Sequence, residues 1–299
     1  MITRIFSAVI LVFGLGITTW GQTTSPSRDA DGRDLFREDR SRPLEIAEKA
    51  SEPHGGGAVH DISFSGVDGK RIEAYLVVPG GSGPFPGILY AHWLGAASTT
   101  NRTEFLLEAE ALLESGVASL LVTMPWTEHW YQNRNLHDDY DFSIRQVQNL
   151  RRALDVLVST KGIDKGRLAF VGHDFGASFG AILLGVDSRV RCAVLMAGTP
   201  ILSDWFLFFG QASGAEKESL AKQTAPLDPV NYLGKVDFVP ILFQFSDHDQ
   251  FIPKDKAELF ANAAKSPKKV LWYDAGHELN SQAADDRSQW LRSQLKAHP

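Results

Sequence analysis

The sequence predicts an α/β fold in which a mostly parallel sheet carries helices on both faces. From about residue 60 onward, strand-like and helix-like runs alternate, and most of the strand-like runs are apolar throughout. Strands without polar alternation are typical of a parallel sheet that is buried under helices on both sides. Ligands of such sheets bind beyond the carboxyl ends of the strands, so the residues just after each strand are the candidates for chemistry.

The predicted elements follow one another in a regular order. An antiparallel pair of strands at 61–65 and 72–78 opens the domain. Apolar strands are then predicted at 87–92, 118–124, 167–172, 191–197, 239–245 and 269–273. Apolar residues at helical spacing predict helices at 102–115, 143–159, 175–184, 254–264 and 283–296.

Length, charge and cysteine content limit the classes of function. The 299 residues suffice for one large domain with a sizeable core. A formal net charge of -6 argues against nucleic acid as a partner. The single cysteine, Cys192, allows no intrachain disulfide, and its apolar surroundings predict a buried strand residue rather than a reactive thiol. We expect a small-molecule substrate, no metal and no organic cofactor.

The N-terminal residues predict a targeting segment. Residues 1–21 read as a signal peptide, with Arg4 before the apolar stretch 5–17 and small residues ahead of the cleavage site. The stretch is shorter than the roughly 20 residues of a membrane span. We therefore expect export to the periplasm or the medium without stable membrane insertion, with an uncleaved anchor as the alternative. Residues 22–59 predict a polar N-terminal arm, and 60–299 a single α/β domain.

Inside that arm the composition is rich in charged residues, serine, glycine and proline. A short helix is predicted at 42–50, and the glycine run 55–57 predicts a linker to the domain.

A pentapeptide with glycine at both ends, Gly-His-Asp-Phe-Gly at 172–176, lies where a strand passes into a helix. Small residues on either side of a central residue permit the sharp turn of a nucleophile elbow. Two partners follow in the order acid then histidine, and each stands just after an apolar strand: Asp249 and His277. We therefore predict a catalytic triad of Asp174, Asp249 and His277, with Asp247 as the alternative acid.

These residues resemble the α/β-hydrolase superfamily, and more narrowly its dienelactone-hydrolase-like branch, from about residue 60 to the C-terminus. The resemblance implies an oxyanion loop at 92–95, with backbone N–H donors from Phe175 and from Trp93 or Leu94. An aspartate at the elbow is similar to epoxide hydrolases and haloalkane dehalogenases, whose elbow is Gly-His-Asp-Trp-Gly. This sequence departs from them in carrying Phe175 for that tryptophan and in having no His-Gly-x-Pro loop.

An aspartate at the elbow favours displacement chemistry. The side chain is a carboxylate at neutral pH and can displace a leaving group from a saturated carbon, which gives an ester on Asp174. His277 would then direct water onto that ester while Asp249 orients the imidazole. Two carboxylates beside His277 should raise its pKa, so activity should rise toward alkaline pH.

Two alternative functions stay open at this point. Attack of an aspartate on an ordinary ester would give a high-energy mixed anhydride, so an ester or lactone hydrolase would need a modified mechanism. The other alternative is an inactive hydrolase-fold protein that only binds its ligand.

Two aromatic segments are candidates for the cover of the site. The segment 126–140 holds Trp126 and Trp130, and the segment 202–225 holds Trp205 and Phe208 as a short lid. Aromatic side chains commonly line apolar pockets, so these four are predicted to contact the substrate. For the first segment, packing against the N-terminal arm is the alternative.

Overall fold

The computed structural model describes residues 34–96, 101–210 and 212–297, and a nine-stranded sheet forms its centre. The strands are β1 Ala47–His54, β2 Gly57–Ser65, β3 Arg71–Pro79, β4 Phe85–Ala91, β5 Ala118–Val122, β6 Ile163–His173, β7 Val190–Met196, β8 Ile241–Ser246 and β9 Lys268–Tyr273. Their order is β1-β2-β3-β5-β4-β6-β7-β8-β9. The strands β1, β2, β3 and β5 pair antiparallel in that order, and all pairs from β5 to β9 are parallel. The predicted mostly parallel sheet is confirmed.

Helices alternate with the strands from β4 onward. They are α1 Leu106–Leu113, α2 Glu128–Asn133, α3 Asp139–Ser159, α4 Phe175–Val186, α5 Leu202–Phe206, α6 Gly214–Thr224, α7 Val230–Leu233, α8 Lys254–Ala263 and α9 Ser281–Leu295. All five predicted helices have a counterpart, and the first begins late because residues 101–105 form turns. The helices α2, α5, α6 and α7 were not predicted, and they occupy the segments that follow β5 and β7.

Successive side chains of the central strands enter two separate cores. In β4, Leu89 and Ala91 pack into the larger core, whereas Ile88 and Tyr90 pack into the smaller one. The larger core includes residues of α3, α4 and α8, and the smaller one includes residues of α1 and α9. The helices on both faces explain why the strand sequences are apolar without alternation.

Part of the predicted N-terminal arm belongs to the sheet. β1 lies at 47–54, where a helix was predicted at 42–50, and β2 begins at Gly57 inside the predicted linker. The helix prediction is wrong because all eight residues of β1 are exposed, so no apolar alternation marks the strand. β1 is held by its backbone pairing with β2, and the predicted boundary at residue 60 cuts through β2.

The described residues ahead of β1, 34–46, include a segment that packs against the helices. Phe36 is fully buried, and its ring meets Tyr232 of α7 edge-on at 5.6 Å between centroids. The Arg151 guanidinium on α3 donates a hydrogen bond of 2.5 Å to the Phe36 carbonyl. The predicted signal peptide at 1–21 lies outside the described residues and stays a prediction. None of the described helices is long and apolar enough to cross a membrane.

Candidate active site

Asp174 is the single residue between β6 and α4 and lies at the sharp turn that joins them. Its φ of 58° and ψ of -114° lie where residues other than glycine are rare, a strain of roughly 1–3 kcal/mol. A Cβ on Gly176 would lie 2.2 Å from the Ala91 carbonyl oxygen, and a Cβ on Gly172 would lie 2.4 Å from the Gly176 carbonyl oxygen. Only glycine therefore allows the helix to approach the sheet closely enough to present Asp174 at the strand ends.

The structure brings the three predicted triad residues together. His277 Nδ1 lies 2.9 Å from Asp249 Oδ2, and His277 Nε2 lies 3.9 Å from Asp174 Oδ2. The side chains of all three are at most 4% exposed. Asp247, the alternative acid, is exposed and is absent from these contacts. The residues that follow β6, β8 and β9 thus meet at one edge of the sheet.

The two carboxylates control the protonation of the imidazole between them. Burial disfavours the imidazolium, but Asp174 and Asp249 outweigh that effect and raise the pKa of His277 to about 9. Burial also acts to raise the pKa of Asp249, yet His277 and the backbone N–H groups of Phe251 and Ile252 hold it below its usual value. With a pKa of about 9, the His277 imidazole is mostly protonated at neutral pH.

The two oxygens of Asp174 have different surroundings. Oδ2 accepts a hydrogen bond of 2.8 Å from the backbone N–H of Leu94. Oδ1 is buried and has no hydrogen-bond partner among the described residues. Of the two predicted alternatives in the oxyanion loop, the N–H of Leu94 faces the carboxylate. The N–H of Trp93 instead donates to Glu104 at 2.8 Å, and the role of the Phe175 N–H stays a prediction.

A buried histidine and a buried tryptophan hold the oxyanion loop in place. His92 Nδ1 lies 2.7 Å from the Trp93 carbonyl, and its Nε2 accepts from the Met124 N–H at 2.9 Å. Burial is the main cause that lowers the pKa of His92, which agrees with a neutral ring that donates once and accepts once. The Trp126 indole donates to the His92 carbonyl at 2.9 Å. This hydrogen bond ties the loop to the segment after β5.

Trp126 was predicted to contact the substrate, and that prediction is wrong. Its side chain is fully buried behind the site, where it stacks on Phe179 at 5.2 Å between ring centroids. Trp130 was also predicted to line the pocket, but its ring stacks on Phe142 at 4.2 Å, away from the cavity wall. The richness of the segment in aromatic residues could not reveal that both indoles face the core.

A cavity of about 630 Å³ opens onto Asp174 and His277. Its aromatic wall includes the predicted Trp205, whereas Phe208 lies in a neighbouring groove of about 350 Å³. The groove and the cavity share Trp205 and Phe251. The lining also includes Trp93, Tyr131, Phe209 and Phe251 on the aromatic side and Glu128, Gln132, Gln250 and Glu278 on the polar side. Sequence reasoning missed Phe251 and the four polar residues as part of the lining.

The two segments that cover the site are joined to each other. Tyr131 of α2 donates to the Trp205 carbonyl at 2.7 Å, and its ring meets Phe209 edge-on. Arg134 donates to the backbone of Tyr131 and of Phe206. Both candidate cover segments thus lie at the site, and their helices contact each other.

This arrangement places the molecule in the class of proteins with the α/β-hydrolase fold. The elbow residue follows β6, the acid follows β8 and the histidine follows β9, and an oxyanion loop follows β4. More particularly, the chain belongs to the Esterase FrsA-like family, which it matches over residues 45–211, more than half of its length.

Individual relatives share modest identity with the chain. Esterase FrsA of Yersinia enterocolitica is 26% identical over 264 residues, which cover 79% of this chain and 59% of that protein. The 2,6-dihydropseudooxynicotine hydrolase of Paenarthrobacter nicotinovorans is 22% identical over 141 residues, which cover 47% of this chain and 36% of that protein. The chain therefore spans less than two thirds of the length of these relatives.

Solved structures support the same fold. Acetyl xylan esterase 1 of a Thermoanaerobacterium species superposes with a TM-score of 0.72 at 18% identity, over 87% of this chain and 91% of that chain. The 2,6-dihydroxy-pseudo-oxynicotine hydrolase superposes with a TM-score of 0.60 at 17% identity, over 85% and 69% of the two chains. At such identities the likeness extends to the fold and not to the substrate.

Proposed function

We propose that the protein hydrolyses a small, largely apolar organic substrate with the Asp174 carboxylate as the nucleophile. The observation that supports this proposal is the unequal hydrogen bonding of the two oxygens of the Asp174 carboxylate. The Leu94 N–H donates to Oδ2, while Oδ1 is buried with no partner among the described residues, and Asp174 itself lines the cavity. A buried oxygen without a hydrogen bond is costly to the free enzyme, by about 1–3 kcal/mol, and is available to attack an electrophile.

The first step of this chemistry forms an ester. Asp174 Oδ1 attacks the electrophilic carbon, and the bond from that carbon to the leaving group breaks with its electron pair on the leaving group. Oδ2 becomes the carbonyl oxygen of the ester. The N–H of Leu94 is already within hydrogen-bond distance of Oδ2, so it can stabilise the negative charge that develops there when water adds.

The second step uses His277 as a base, and the first step prepares it. Esterification removes the charge of Asp174, one of the two carboxylates that raise the pKa of His277. The pKa of the imidazole therefore falls in the intermediate, and the ring loses its proton more easily. Neutral His277 takes a proton from the water that adds to the ester carbonyl carbon. The imidazolium then returns this proton to Oδ1 as the bond from Oδ1 to that carbon breaks and the product leaves as an alcohol, and the second proton of the water goes to solvent as the Asp174 carboxylate forms again. Asp249 stabilises the imidazolium formed in this step.

The cavity indicates the character of the substrate. Rings of Trp93, Trp205 and Phe251 surround the His277 imidazole at centroid distances of 4.9–5.8 Å. The indole N–H groups of both tryptophans are buried and have no partner among the described residues. Such donors favour a substrate that is apolar over most of its surface and carries an acceptor atom.

Trapping the intermediate tests the proposal. We expect His277→Gln to accumulate an adduct on Asp174 when it is mixed with styrene oxide, a short bromoalkane or whichever probe of this kind the wild type turns over. Intact-protein mass would show the adduct, and Asp174→Asn would neither form it nor turn over the probe. The matched control is Asp247→Asn, which removes an exposed carboxylate close to the acid. Turnover by Asp174→Asn at the wild-type rate would overturn the proposal.

Ester or lactone hydrolysis is the second candidate, and membership in the Esterase FrsA-like family favours it. The resemblance to the dienelactone-hydrolase-like branch supports the same candidate. Here Asp174 would act on water as a base, which avoids the mixed anhydride. Wild-type turnover of p-nitrophenyl acetate without any adduct in His277→Gln would favour this candidate. The close Asp249–His277 pair disfavours the remaining alternative, an inactive binding protein.

A further inference from the structure

Glu104 joins two loops of the site through one carboxylate. The residue precedes α1, and its side chain is 15% exposed. Its Oε2 accepts a hydrogen bond of 2.8 Å from the backbone N–H of Trp93, the residue before the oxyanion donor Leu94. Its Oε1 lies 2.7 Å from Nδ1 of His173, the residue before Asp174.

His173 extends this connection to a third loop. Its Nε2 lies 3.0 Å from the backbone carbonyl of His277, and its ring is 2% exposed. Both partners of the ring, the Glu104 carboxylate and the His277 carbonyl, are acceptors, so each ring nitrogen that carries a hydrogen can donate to one of them. The ring also stacks between Trp93 and His277, at centroid distances of 5.1 Å and 5.2 Å.

We propose that Glu104 and His173 form a positioning pair that fixes the oxyanion donor, the nucleophile and the base relative to one another. Each contact of the pair falls on a residue of the catalytic set or on the residue next to one. The inference rests on the proposed function of Asp174, and it assigns Glu104 and His173 no contact with the substrate.

Stability alone is a poor account of the pair. Buried ion pairs contribute little net stability because the loss of solvation offsets their attraction, and apolar replacements are often neutral. What the pair does supply is a defined geometry among three loops, in addition to the hydrogen bond that Leu94 donates to Asp174. A displacement of about 1 Å at a reacting group can lower a rate about 100-fold, so this geometry affects catalysis more than folding.

Two substitutions at Glu104 distinguish the effect of its hydrogen bonds from the effect of its charge. In Glu104→Gln the amide oxygen can accept from the Trp93 N–H, and the amide NH2 can donate to Nδ1 of neutral His173, whose Nε2–H still reaches the His277 carbonyl. All three hydrogen bonds are thus kept without charge. Glu104→Ala removes the first two. The matched control is Glu108→Gln, which changes a buried ion pair with Arg287 further along the same segment.

The kinetic test compares these variants with the probe that the wild type turns over. We expect Glu104→Ala to lower kcat about 10- to 100-fold with KM changed by less than about threefold. Glu104→Gln should recover most of the lost kcat, and Glu108→Gln should keep the wild-type kcat. The acid limb of the pH–rate profile reports the pKa of the His277 imidazole, which Asp174, Asp249 and His173 face. This limb should move in Glu104→Ala, because the position of the imidazole relative to these groups is no longer fixed. Equal kcat values in Glu104→Ala and Glu108→Gln would overturn the inference.

A spectroscopic measurement makes the test independent of turnover. The proton between His277 Nδ1 and Asp249 should give a downfield NMR resonance in the wild type, because it is shared with a buried carboxylate. We expect this resonance to shift or broaden in Glu104→Ala and to persist in Glu104→Gln. An unchanged resonance in Glu104→Ala refutes the positioning role, whereas failure of the proposed function would appear as turnover by Asp174→Asn.

Discussion

Replacing His277 by glutamine should remove a pH-dependent part of the stability of the protein. In the folded chain Asp174 and Asp249 raise the pKa of His277 from 6.5 to about 9. In the unfolded chain the imidazole returns to its ordinary value. The folded state therefore binds the proton more tightly, and protonation of His277 stabilises the fold.

The sign and the size of this contribution follow from the pKa of His277 in the folded and in the unfolded chain. The stabilisation is fully present below pH 6.5, declines above it and is lost as the pH rises through about 9. At about 1.4 kcal/mol for each pH unit, the whole contribution amounts to about 3 kcal/mol. Little solvent screening reduces it, because the His277 side chain is only 4% exposed.

Urea denaturation of the wild type and of His277→Gln between pH 5.5 and 10 measures this contribution. The difference in the free energy of unfolding should fall by about 3 kcal/mol from the acid to the alkaline end. A constant difference across the range would refute the placement of His277 between two carboxylates. His248→Gln is the control, because that exposed histidine pairs with exposed Asp274 and such pairs contribute about 0–1 kcal/mol.

Three further substitutions give distinct outcomes. Gly176→Ala should destabilise the fold by about 3 kcal/mol in thermal or urea unfolding, because its Cβ meets the Ala91 carbonyl oxygen at 2.2 Å, while Gly214→Ala, where the space is open, should be close to neutral. Trp205→Phe should stabilise the free protein by about 1 kcal/mol and raise KM, since it removes an unpaired buried N–H; a lower KM would contradict this. Asp249→Asn should lower kcat by roughly 10²- to 10⁴-fold and move the acid limb of its pH profile to lower pH; an unmoved limb would count against Asp249 as the partner of His277.

The proximity of Asp174, Asp249 and His277 could be predicted because a parallel sheet imposes a strong geometric rule. Residues that follow neighbouring strands meet at the carboxyl edge, and Asp174, Asp249 and His277 all obey this rule. The glycines around Asp174 identified the elbow, since no larger residue fits at either position. Apolar strands and helical spacing were likewise sufficient for the alternation of the main elements.

Other features left no periodic signal in the sequence. β1 has no buried side chain, so its backbone pairing alone makes it a strand. Trp126 and Trp205 both lie in segments rich in aromatic residues. Trp126 nevertheless lies behind the oxyanion loop, whereas Trp205 lines the cavity. Glu104 lies in a turn with no motif, and its contacts with Trp93 and His173 depend on how three distant segments pack.

The nucleophilic role of Asp174 is tested most directly by the origin of the product oxygen. With enzyme in excess over an epoxide or bromoalkane probe, a single turnover is run in water labelled with oxygen-18. The account predicts that the first product carries unlabelled oxygen from Asp174 and that the label enters the Asp174 carboxylate, as mass spectrometry of the peptide would show. Labelled product with an unlabelled Asp174 would contradict it, because water would then have attacked the substrate directly.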